Sequence, residues 1–137
     1  MTREEKDLLL KDICSRLLYY TKVYNNHADG NWSILTPVLI SNIMNIREDN
    51  DLVIKPYLFP LSSMTEEHKK ELENILGSTP SFDNMNKLFY DMWGESKVYL
   101  SDILRAIEFF NKHHYDYNGL IPKGLAIDCT NLSELYE

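Results

Sequence analysis

The residues best equipped for chemistry crowd into one stretch, NKHHYDYNGLIPKGLAID, residues 111–128. There His113, His114, Tyr115, Asp116 and Tyr117 run up to Gly119. An imidazole beside a carboxylate can be tuned toward neutral pH, so His113 with Asp116 would suit the acid/base work of a small hydrolase or nuclease. Metal binding is the other chemistry these side chains permit. Adjacent helical residues point about 100° apart, whereas ligand pairs on helices sit four apart as in H-E-x-x-H. A transition metal also needs a third ligand. His27 and His68 are available, but nothing local brings them there. Ile103, Ile107, Phe110 and His114 share one helical stripe, so the simplest reading is a helix end, with His114 closing an apolar face. No catalytic set, metal or cofactor is expected.

Other chemical signatures are missing. The chain holds no G-x-x-x-x-G-K-[ST], G-x-G-x-x-G or G-x-S-x-G pattern. Ser62 and Ser63 have no neighbouring base and read as helix caps. Cys14 and Cys129 stand far apart, outside any C-x-x-C pair.

The elements that must position these residues read as α+β. Thr2 and Glu5 form a capping box ahead of an apolar face of Leu9, Leu10, Ile13, Cys14, Leu17 and Leu18, which makes Cys14 a small core residue. Residues 20–54 read as three or four short antiparallel strands around an Asp29-Gly30 turn, with Pro37 marking an edge strand; VLISNIMNI also fits a short helix. The small sheet could curl into a partial barrel. IKPYLFPLSSMTEE leaves the sheet extended, because Pro56 and Pro60 disfavour helix before them. Its Tyr57 and Phe59 either lie in a groove or face outward as partner anchors. Ser63 with Glu66, or Thr65 alone, caps a helix that carries Leu72 and Ile75 and stops at Gly77. A helix over 82–93 and a last helix from Ser101 or Asp102 complete a helical C-terminal half. The tail CTNLSELYE reads as frayed. These expectations divide the chain into lobes 1–62 and 63–137 that share one core.

Charge narrows the partners. Fourteen basic residues against 21 acidic ones give a net charge of −7, and the basic residues form no run. A phosphate backbone therefore has no positive stripe to grip, and direct nucleic-acid binding is disfavoured. The N-terminus is charged from the start, and no apolar run approaches the ~20 residues that cross a bilayer. A cytoplasmic protein with no membrane partner is expected.

Through IKPYLFPLSSMTEE and FNKHHYDYNGLIPKGLAI the chain resembles a group of small uncharacterised proteins of phages, prophages and mobile elements of gut Bacteroidales. The resemblance covers most of the chain and marks a family, not an activity. It implies arginine in relatives at the positions of Phe59 and Asn118 and an acid at that of Pro122, so a charge-based anion site there would be lost here. It also implies a small, acidic, phage-associated protein that acts by contact. The resulting expectation is a non-enzymatic accessory or regulatory protein with a protein partner, one version of which is a counter-defence inhibitor. The candidate contact residues are Tyr57, Phe59, His113, Tyr115, Asp116 and Tyr117.

Overall fold

The structure, a computed structural model, describes residues 1–46, 51–76 and 100–136. The fold is α+β, with strands that pair both antiparallel and parallel. The chain divides into two compact units, residues 1–58 with 120–137, and residues 59–119. The expected boundary at residue 62 thus lies at Leu58, and the C-terminal segment belongs with the first unit.

In the first unit, helix α1 (Arg3–Ser15) starts with the expected capping box: Thr2 Oγ1 accepts from the Glu5 amide while the Glu5 carboxylate accepts from the Thr2 amide. Its buried stripe is Leu9, Asp12 and Ile13, continued by Arg16. Cys14, one position or about 100° past Ile13, is exposed, so its assignment to the core is corrected. Strands β1 (Lys22–Asn25) and β2 (Trp32–Ile34) form an antiparallel hairpin. Gly30 turns it at φ +72°, a conformation that favours glycine.

Residues 37–44 are not a strand. They form helix α2 (Pro37–Met44), capped by Thr36, whose Oγ1 accepts from the Leu39 amide. Pro37 sits in the first turn, where its missing N–H costs nothing.

The proline segment is likewise corrected. It does not leave the sheet; it is strand β3 (Ile54–Pro60). Asn26 donates to the Val53 carbonyl, which fixes Tyr24–Lys55 as the next hydrogen-bonded pair with β1. Pro56, opposite Val23, therefore falls in a non-bonded position and withdraws no donor from that ladder. On its other side β3 pairs in parallel with β5 (Ile127–Asp128), so the sheet is mixed and not purely antiparallel. The core beneath it gathers Leu9, Ile13, Val23, Ile43, Ile54, Leu58 and Leu120.

In the second unit the last two residues of β3 pair in parallel with β4 (Tyr115–Asp116). Helices α3 (Glu66–Leu76) and α4 (Leu100–Lys112) bury Leu72, Ala106, Phe109 and Phe110 with Tyr115 and Tyr117. Thr65 caps α3 through the His68 amide, whereas Ser63 bonds to the Pro60 carbonyl. The expected stop at Gly77 and helix over 82–93 lie outside the described residues.

Candidate functional site

Helix α4 stops well before Gly119. His113 still donates to the Phe109 carbonyl, but His114 turns left-handed at φ +61°, and the chain enters β4. This exit decides the fate of the histidine cluster. Asp116 lies on β4, buried, and not a further turn along the helix beside His113. Tyr115, Tyr117 and His114 are buried too.

His113 instead meets His68. Their ring centroids lie 4.1 Å apart, tilted by 37°, with Phe109 touching both edge-on. His68 Nδ1 shares a 2.7 Å hydrogen bond with the Tyr115 hydroxyl, and Glu71 Oε2 lies 3.8 Å from His113 Nε2. Burial, and then the neighbouring His68, hold the His113 pKa below its usual 6.5, against the pull of Glu71. Burial raises the Tyr115 phenol above its usual value. The cluster is thus an aromatic clasp between α3 and α4. Among the described residues no group of three His, Cys, Asp or Glu is placed to hold a metal.

A pH dependence follows. Because folding lowers the His113 pKa, the unfolded chain takes up this proton first as pH falls. The clasp's contribution is complete above about pH 6.5 and is lost as pH drops through the lowered folded value. Denaturant titrations between about pH 7.5 and 5 should show stability falling with acidification, and His113→Gln should flatten that slope. An unchanged slope in the variant would show that His113 does not carry it.

Phe59 packs on the second unit's core and lies 6.3 Å, ring to ring, from Tyr115. Tyr57 is half-buried in the first unit. Of the six candidate residues, Phe59, His113, Tyr115 and Tyr117 meet around α4, and Tyr57 belongs to the first unit. Cys129 is buried, and burial first, then Asp128, raises its thiol to about 12, which leaves it protonated and unreactive.

Sequence reasoning missed a second arrangement, the outer edge of the hairpin. Strand β2 ends the strand order of the first unit, beyond β1. Leu35 donates to the Thr21 carbonyl directly opposite, so Ser33–Val23 is the next bonded pair. Trp32 and Ile34 therefore turn their N–H and C=O groups outward, and no hydrogen bond among the described residues engages them. Their side chains share a face and are 45% and 42% exposed. Lys22 stands opposite Ile34 with its Nζ 5.2 Å from the Trp32 ring. Leu18 and Tyr20, just before β1, and Val38, just after β2, are exposed as well. The sequence signal was present: W-S-I alternates apolar and polar residues right after an Asp-Gly turn.

A cavity of about 730 Å³ also opens in the first unit, lined by residues that include Lys6, Leu9, Ile43, Ile54 and Leu125. Among the described residues no helix is long and apolar enough to cross a membrane. No family model, curated protein or solved structure matches the chain.

Proposed function

We propose that the chain acts by protein–protein contact, as a non-enzymatic accessory or regulatory module, through the outer edge of its hairpin. The carrying observation is the pair Trp32 and Ile34, exposed on a sheet edge whose outward backbone groups lack partners among the described residues. Exposed edges invite pairing with another chain, and proteins usually blunt them with charge, proline or cover. Here the edge carries a tryptophan, a residue that anchors many interfaces because its large apolar body meets a polar tip. Leu18, Tyr20 and Val38, which flank the hairpin in the chain, are exposed apolar residues as well. The net charge of −7 favours a basic partner, which is the form a counter-defence inhibitor of a nucleic-acid-binding protein would take.

The test is recovery of a partner from nuclease-treated host lysate on the tagged chain. The doubly substituted Trp32→Ser, Ile34→Lys chain should recover at least tenfold less, which corresponds to about 1.4 kcal/mol or more. Leu104→Lys, an exposed position on α4, should recover as much as the parent. Undiminished recovery by the double variant, folded by circular dichroism, would refute the reading.

A further inference from the structure

We infer that β2 receives an extended segment of another protein as an added antiparallel strand, apolar at alternate positions and basic at both ends. This inference rests on the contact reading above and names its partner. The outward N–H and C=O groups of Trp32 and Ile34 offer four backbone hydrogen bonds. In an antiparallel pair, the residues opposite Trp32 and Ile34 would each exchange two of them. Those two partner residues lie two apart and share the face of Trp32 and Ile34, so β-branched side chains there pack on the indole and on Ile34. The residue between them lies opposite Ser33 and shares its face, on which Val23 and Leu35 are buried.

Charge selects the flanks. Exposed Asp29 precedes Trp32 by one turn. The Lys22 ammonium, 5.2 Å from the Trp32 ring, is already taken by the Leu135 carbonyl, whose neighbour in sequence is the exposed Glu134. An apolar edge next to exposed Asp29, on a chain of net charge −7, fits a strand flanked by lysine or arginine. A second copy of this chain fits less well, because it would bring a further −7 to the same edge.

The probe is the acetylated, amidated heptapeptide Lys-Arg-Val-Thr-Val-Arg-Lys, titrated into the labelled full chain and followed by amide shifts. Saturable shifts centred on residues 32–34 are expected. Methylating the backbone nitrogens of both valines keeps the side chains but removes the donors, and should weaken binding at least tenfold. Replacing the four basic residues by glutamate should weaken it at least as much. Equal binding of the methylated peptide would overturn strand addition, as would no saturation at millimolar peptide. Sedimentation showing a peptide-independent dimer that Ile34→Lys dissociates would also overturn it, by assigning the edge to a second copy. If the peptide fails while lysate recovery still depends on Trp32 and Ile34, strand addition falls and the contact reading stands. If recovery is independent of both residues, the contact reading itself falls.

Discussion

Asp12→Ala is expected to cost the fold about 3–5 kcal/mol, the scale found when one partner of a buried ion pair is removed. Arg16 Nε donates to Asp12 Oδ2 at 2.8 Å and its second guanidinium nitrogen to Oδ1 at 3.0 Å, a two-point fork. Both side chains are 0% exposed, so neither charge can turn to water when the other is lost. The guanidinium would then stay buried without the two-point carboxylate fork that offsets its charge. Asp12→Asn keeps the shape and loses the charge, so it should fall between alanine and the parent. The pair is not thereby a net source of stability. Its Coulomb energy is opposed by the desolvation of both ions, and Asp12→Leu with Arg16→Met should recover most of the loss. Urea unfolding followed by circular dichroism measures all four chains. A loss below about 1 kcal/mol for Asp12→Ala would mean that water reaches Arg16.

That pair shows where sequence reading stopped. An aspartate and an arginine four apart on a helix normally read as a solvated surface pair. Only tertiary packing puts them inside, and it leaves Cys14 off the buried stripe. Local signals served well where the physics is local: the Thr2–Glu5 box, the Asp29-Gly30 turn and the Thr65 cap each depend on neighbours in the chain. Thr36-Pro37 shows the limit even there, since a threonine before a proline suits both a helix start and a strand edge. The histidine clasp had no such signal. Tyr115 meets His68 across 47 residues, and His113 meets it only because α4 ends before Asp116 can approach. The edge at β2 was hidden for the same reason, because which strand lies outermost is a property of the sheet order.

Tyr136→Phe, which removes one oxygen, should cost about 1–3 kcal/mol, because it leaves two part-buried backbone groups without their partner. The argument comes from the β1–β3 ladder. Tyr24–Lys55 is a bonded pair, so Lys22–Tyr57 should be the next to exchange hydrogen bonds. There the Tyr136 hydroxyl stands between the strands instead. It accepts from the Lys22 amide at 2.9 Å and donates to the Tyr57 carbonyl at 2.8 Å, with the Lys22 carbonyl 3.3 Å away. At this same residue β3 begins to pair with β5, Tyr57 opposite Ile127, so the phenol closes the ladder where the strand changes partners. Its burial raises the phenol's pKa well above the usual 10, which keeps the hydroxyl protonated as the bridge requires. The C-terminal tail is therefore not frayed as its polar composition implied; it is tied across 114 residues to the start of β1. Hydrogen exchange makes the test specific. In Tyr136→Phe the Lys22 amide should lose protection, while Val23, bonded toward β2, keeps most of its own. Equal protection of Lys22 in both chains, with unchanged stability, would show that the strands close on each other directly and that Tyr136 bridges nothing.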